Sequence, residues 1–209
     1  PLRGRANFLR RVWELPDVEV RPLKLTDVSQ MARWGRHEDT RFQGYNFTGK
    51  NFGDYLSWYL IKRQPFRKWV YGAFADHQLI GYITVKNYRR DLKSAEMGIS
   101  FNPEWTSKGY GTEAVKQYLS QVFERFKLER VWLKTAAFNS RAKRCYEKAG
   151  FTVYDERHEP YEDQSTPIAF VNQWPQWFEY HDELAWIDYI YMEIRIEDIK
   201  NNVRDITND

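Results

Sequence analysis

The residues best suited to chemistry in this chain lie between Ser94 and Phe151. Gly109 and Gly111 stand in "TSKGYGTEA", between an alternating run that reads as a strand, "SAEMGISFNPEW", and an amphipathic run that reads as a helix. Bare backbone N–H groups at that junction share one spot with the positive end of a helix dipole, and such a spot suits a pyrophosphate. Taken alone, a glycine pair between elements reads as a turn. Along the preceding strand, period two puts Met97, Ile99 and Phe101 on one face and Glu96, Gly98 and Ser100 on the other. Glu96 therefore faces a surface with a glycine beside it, where the plain reading is a solvated strand carboxylate. Cys145 is the chain's one cysteine, and no histidine stands at a suggestive spacing from it, so it reads as core. With one cysteine and four scattered histidines the sequence shows no ligand spacing, and no metal is expected.

These residues need elements to position them. "VEVRPLKL" (Val18 to Leu25) alternates like a half-buried strand, and Thr26 or Asp27 can cap a helix that Gly35 ends. A loop then leads to a second helix, Asn51 to Lys62, with Tyr55, Trp58 and Tyr59 on one face. Two apolar runs around Asp76 and His77 predict a hairpin, and the third strand carries Glu96. Past Gly111, the stripe Val115, Tyr118, Leu119, Val122, Phe123 and Phe126 predicts a helix packed by that face. "RVWLKTAAF" reads as a buried strand. The next helix opens at Asn139 or Ser140 and closes before Gly150, with Ala142, Cys145, Tyr146 and Ala149 inward. Phe151 to Glu156 begins a further strand, periodicity then breaks, and "AWIDYIYMEIRIEDI" resumes a long alternation.

The length of 209 residues fits one domain, 1–209, with an aromatic and acidic insertion at 157–186. No apolar window is long enough to span a membrane and the start lacks a signal-peptide core, so a cytoplasmic protein is expected. The absent initiator Met points to a processed or trimmed start. The basic run Arg3, Arg5, Arg10 and Arg11 reads as a solvated end or an arm for acidic surfaces. A net charge of +3 gives no argument for nucleic acid. Nine Trp, 14 Tyr and 13 Phe exceed what one core plainly needs, so some rings are expected to line a pocket or a partner surface.

The order strand, "KGYGTEA", helix, strand, then "N-x-x-A-x-x-x-Y-x-x-x-G-F" resembles the GCN5-related N-acetyltransferase (GNAT) family, and among its members the ribosomal-protein N-terminal acetyltransferases in element order. The resemblance implies an α+β fold, a central mostly antiparallel sheet of about seven strands flanked by helices. It implies acetyl-CoA as co-substrate and direct transfer to a primary amine: a small cationic amine, an aminoglycoside or a peptide N-terminus. The family's acyl-CoA loop, Q/R-x-x-G-x-G/A, falls on Thr106, Ser107, Lys108, Gly109, Tyr110 and Gly111, with Thr106 departing from Gln or Arg. By the same resemblance Ile99, Ser100, Phe101, Thr112, Asn139 and Arg144 also serve the cofactor. Tyr146 matches the general-acid tyrosine, or is a core ring on an apolar helix face. Glu96 matches a strand carboxylate acting as base through water. The early region, with its second helix, walls the acceptor pocket in the family.

An alternative from another class is a GNAT-fold binding protein without turnover, whose aromatic insertion is a contact surface. Residues 156–188 interleave carboxylates with rings, which attracts cations. Such a segment fits an acceptor lid or a homodimer contact.

Overall fold

The structure, a computed structural model, describes residues 16–63, 69–164 and 168–198. The basic run at Arg3 to Arg11 and the polar tail 200–209 lie outside the described residues. In chain order the elements are β1 (Glu19–Pro22), α1 (Leu25–Val28), α2 (Phe52–Arg63), β2 (Trp69–Ala75), β3 (Gln78–Arg89), β4 (Ser94–Phe101), α3 (Tyr110–Phe126), β5 (Arg130–Ala136), α4 (Ser140–Lys148), β6 (Thr152–Pro160), α5 (Ile168–Val171), β7 (Phe178–His181) and β8 (Leu184–Arg195). The hydrogen-bonded strand order is β1-β2-β3-β4-β5-β8-β6, with β7 on β8 off that path. The described pairings are antiparallel except β4 with β5, so the sheet is mixed and mostly antiparallel, as expected. The strand beyond the expected ones is β7, inside the insertion.

Two compact units divide the chain. The first holds the described residues up to Lys86 together with Gly98–Val122, and the second holds Asn87–Met97 together with those from Phe123 onward.

In the first unit, β2 and β3 close through Asp76 and His77, both at positive φ, with Ala75 opposite Gln78. That two-residue turn has the twist a hairpin needs. β1 stands at one end of the order, and the carbonyls of Val18, just before it, and Val20, within it, accept hydrogen bonds from the Gln117 and Gln121 side chains, each at 2.8 Å. Two glutamines one helical turn apart thus cover an open edge. Facing the other way, Val115, Tyr118, Leu119 and Val122 are fully buried or nearly so. Each aliphatic side chain among them contributes roughly 1.5–3 kcal/mol by leaving water. The α2 rings Tyr55, Trp58 and Tyr59 pack with Trp34, Phe47 and Tyr82 against Leu23, Val28, Met31, Val70, Phe74 and Leu79.

The first helix is shorter than its sequence predicts, an α-turn at Leu25–Val28 running into a 3-10 turn at Ser29–Arg33. Lys24 stands at its N-cap, and Asp27 is not a cap but the third helical residue. The Asp27 carboxylate accepts from the Lys24 N–H at 2.8 Å and from both Arg21 terminal nitrogens at 2.8 and 3.0 Å. Burial alone would raise its pKa, but the Arg21 fork and the Lys24 N–H outweigh burial and hold the carboxyl below its ordinary value.

In the second unit, β8 is the organising strand. It pairs along Arg195 to Tyr189 with β5 and along Glu193 to Trp186 with β6, while β7 pairs with its Leu184–Ile187 end. β6 runs on to Pro160, past Glu156 where the sequence reading lost it, because its residues are nearly all exposed and show no alternation. The insertion partly makes its own core. Phe178, 3% exposed, takes Tyr161 and Phe170 edge-on at 5.2 and 5.3 Å and stacks on Phe138 at 5.6 Å.

Candidate active site

The loop between β4 and α3 is built by Asn102, which is 5% exposed. Its N–H donates to the Ile80 carbonyl at 2.8 Å, and its side-chain oxygen accepts from the Gly35 and Glu104 N–H groups. That bonding turns the chain out of the strand into a short 3-10 turn, Pro103–Trp105. Thr106, at the position of the departed Gln or Arg, donates its hydroxyl to the Pro103 carbonyl at 2.7 Å, and Lys108 donates its ammonium to the Glu104 carbonyl at 2.8 Å. Ser107 (φ 62°) and Gly109 (φ 88°) are left-handed. The Gly109 carbonyl accepts the first helical bond, from the Glu113 N–H, and α3 begins at Tyr110. Tyr110 is held edge-on against Trp105 at 4.9 Å. The first-turn N–H groups of a helix have no acceptor within it, so those of Tyr110 and Gly111 open at the positive end of a 17-residue helix. Ser107, Lys108 and Gly109 are exposed.

Ile99 and Phe101 are half-buried and Ser100 is buried. The Phe101 ring occupies the space where a side chain on Gly81 would sit, its nearest atom 2.8 Å from that Cβ position. Gly98 likewise leaves room for Thr84, whose hydroxyl donates to the Gly98 carbonyl at 3.3 Å. All of these residues belong to the first unit.

Glu96, Asn139, Arg144 and Tyr146 belong to the second. Glu96 lies on β4 opposite Trp132 of β5 and is only 5% exposed, which overturns the solvated-carboxylate reading. Its Oε2 accepts from the Asn87 amide at 2.5 Å. Asn87 was not singled out in the sequence, although Asn tolerates the positive φ (49°) that it adopts and marks such strand irregularities. Asn139 is the N-cap of α4, its side-chain oxygen accepting from the Ala142 N–H at 3.2 Å, and Arg144 is exposed.

Tyr146 is 6% exposed and sits in the last turn of α4. Gly150 (φ 102°) ends that helix: the Phe151 N–H donates to the Tyr146 carbonyl and the Gly150 N–H to the Glu147 carbonyl, each at 3.0 Å. This is a Schellman cap, and its usual apolar contact is the Tyr146–Phe151 ring pair at 6.0 Å. The string "Y-x-x-x-G-F" therefore has a structural meaning, because the glycine and phenylalanine fix the backbone that carries the tyrosine.

A family model described as an acetyltransferase (GNAT) domain matches residues 17–152. The chain belongs to the GNAT acetyltransferase family. Membership makes this GNAT protein an enzyme, an N-acetyltransferase with acetyl-CoA as its co-substrate, and does not favour the binding-protein alternative. The acetyltransferase PseH of Campylobacter jejuni is 26% identical over 135 residues, covering 64% of this chain and 82% of that protein. In fold, the chain is similar to a spermidine N-acetyltransferase from Vibrio cholerae solved with CoA and spermine, at TM-score 0.63 and 18% identity over 87% of this chain and 96% of that one. It is similar too to a ribosomal-protein-S5-alanine acetyltransferase from Vibrio fischeri, at TM-score 0.57 and 16% identity over 85% of this chain and 92% of that one. Among the described residues, no helix of this GNAT enzyme is long and apolar enough to cross a membrane.

Two features escaped the sequence reading altogether. The Tyr118 hydroxyl is fully buried with no hydrogen-bond partner among the described residues, its ring edge-on to Tyr71 at 5.6 Å, and burial pushes its pKa well up. His158, Glu179 and His181 gather on one exposed surface, where sequence spacing gave no cluster.

Proposed function

We propose that this enzyme moves an acetyl group from acetyl-CoA directly to the primary amine of a cationic acceptor. The observation that carries the reading is the left-handed Gly109 at the head of a 17-residue helix in a chain of the acetyltransferase family. In this reading the backbone of Ser107–Thr112 holds the pyrophosphate and Lys108 adds charge. Ile99, Ser100, Phe101 and Thr106 border the cofactor, with Asn139 and Arg144 on its remaining polar groups, Arg144 at the 3′-phosphate.

The amine gives up its proton to Glu96 through water and attacks the thioester carbonyl. The C–S bond then breaks and Tyr146 protonates the departing thiolate. A phenol near pKa ~10 can do this for a thiolate of about 8.5 at a cost of only about 2 kcal/mol. Loss of an ammonium proton to a carboxylate is far uphill, so the step runs through the neutral fraction of the amine, which grows as pH rises. In this reading residues 1–209 are one catalytic domain, supported by a single family model that runs over residues 17–152 through segments of both compact units. The same reading sets the enzyme in the cytoplasm with the acetyl-CoA it consumes.

A cationic acceptor is supported by the exposed carboxylates Glu156, Glu162, Asp163, Glu179, Asp182, Glu183 and Asp188. It is a weaker field than the sequence implied. Lys134 of β5 reaches Glu159 at 3.2 Å and Glu162 at 3.6 Å, over the Tyr189 ring at 4.1 Å. The spermine bound in the spermidine acetyltransferase of the same fold points the same way. The test mixes the protein and acetyl-CoA with spermine, an aminoglycoside, a basic peptide and a neutral amine, and follows free thiol. Release with the cations and not with the neutral amine is expected. Failure to bind acetyl-CoA in calorimetry would end the reading. Replacing Trp174 and Trp177 together by Ala raises acceptor KM if the insertion covers the acceptor. Dissociation into smaller species at unchanged KM would make it a homodimer contact instead.

A further inference from the structure

We propose that His158, Glu179 and His181 bind a divalent transition-metal ion, zinc by the chemistry of the donors, on the exposed face of β6, β8 and β7. Each residue offers one ligand atom, and these atoms all lie within 4.8 Å of one another. Strand register puts them there. His158 of β6 stands opposite Asp188 of β8, while Glu179 and His181 of β7 stand opposite Trp186 and Leu184 of β8. Leu184, Trp186 and Asp188 share a face of β8 because side chains alternate, and their cross-strand partners share it too.

The arrangement is organised beyond mere proximity. His158 Nδ1 lies 2.8 Å from the Asp188 carboxylate. That bond fixes the tautomer with the proton on Nδ1 and leaves the Nε2 lone pair facing outward, the carboxylate–histidine arrangement that orients metal-bound imidazoles. Nε2 is 3.7 Å from Glu179 Oε2. Tetrahedral zinc with bonds of about 2.0–2.1 Å needs donors about 3.3 Å apart, so small side-chain rotations complete the geometry. The Trp186 indole stacks on both imidazoles, on His158 at 5.6 Å and 13° and on His181 at 4.5 Å and 19°. The indole thus restrains the ring planes before any ion arrives. Two imidazoles and a carboxylate select zinc or a neighbouring transition ion over calcium and magnesium, which take all-oxygen shells. Three protein donors leave a position for water. The ion would tie β6 to β7 across β8, and it touches none of the residues proposed to hold acetyl-CoA or to move its acetyl group, while it draws Glu179 and Asp188 out of the carboxylates proposed to attract the acceptor.

The test uses the whole, chelator-treated protein titrated with zinc chloride in calorimetry, and its melting followed with and without zinc. One equivalent of zinc is expected, with a rise in Tm of several degrees at large excess. His158→Asn and His181→Asn each weaken binding at least about 10-fold, Asp188→Asn by about 10-fold to 100-fold, and His77→Asn leaves it unchanged. Cobalt in the unmodified protein shows the visible bands of a four-coordinate ion, a readout that needs no variant to fold. The absence of stoichiometric binding would overturn the site. So would binding that survives both histidine substitutions. Acetyl-CoA affinity is expected to be equal with and without zinc, so the two readings fail separately.

Discussion

At the scale of single residues, the sharpest expectation concerns Tyr146. Tyr146→Phe keeps the ring against Phe151 and removes only the hydroxyl, so acetyl-CoA affinity stays while kcat falls by about 10²-fold to 10⁴-fold. An unchanged kcat would make Tyr146 a packing residue. Glu96→Gln keeps the shape that meets Asn87, and its rate loss is expected to shrink as pH rises, because a base matters least to an amine already neutral. A loss constant with pH would remove Glu96 from the base role. The buried place of Tyr146 in the last turn of its helix was legible because the glycine after it is a helix stop that can be read in sequence, while its role rests on the family pattern. The burial of Glu96 and its Asn87 partner were not, since a carboxylate on an alternating strand reads the same whether its face meets water or protein. The histidine cluster was invisible for a related reason: cross-strand register, not spacing along the chain, brings its members together.

At the scale of elements, the glycines that end and begin helices carry the argument. Gly150 adopts φ 102°, and a Cβ added there would stand 3.1 Å from the Ile194 side chain. Gly150→Ala is expected to destabilise by about 1–2 kcal/mol, seen as a lower urea midpoint at unchanged m-value. Gly109→Val faces strain of the same kind at φ 88° with only ordinary contact to Pro16, and in the proposed cradle it also bars the backbone from the pyrophosphate. A folded Gly109→Val that bound acetyl-CoA within a few-fold of the parent would reduce the loop to a turn. Most elements were readable because one face is buried and the period shows, as in α3, or because the turn residues are distinctive, as at Asp76 and His77. β6 was lost at Glu156 for the opposite reason. β7 is a four-residue strand among rings, too short for any period to declare itself.

At the scale of the whole molecule, stability should fall away at both ends of the pH range through different groups. On the acid side Asp27, with Arg21 beside it, holds its carboxyl below the ordinary range. Glu159 does the same, burial opposing and the Tyr191 hydroxyl and Lys134 prevailing. A carboxyl of depressed pKa contributes stability that is present above its unfolded value near ~4 and is lost as pH falls through the folded value. On the alkaline side Tyr118 and Tyr191 are both raised, by burial first, and so is Tyr161, whose pKa is pushed up to about 12 by burial first and then by the Asp163 and Glu162 charges. Its ring is edge-on to Phe178, and its N–H donates to the Ala185 carbonyl at 2.8 Å, so ionising it puts charge against the insertion's own core. The folded chain keeps this proton while the unfolded chain gives it up near pH ~10, so the contribution is whole below that pH and disappears as pH climbs toward the folded value. Tyr161→Phe keeps the ring and removes the ionisation. Denaturation at a series of pH values should therefore show a shallower decline above pH ~10 in the variant than in the parent. Parallel declines would mean that Tyr161 ionises in the folded chain as it does in the unfolded one, and that the insertion's rings leave it open to water.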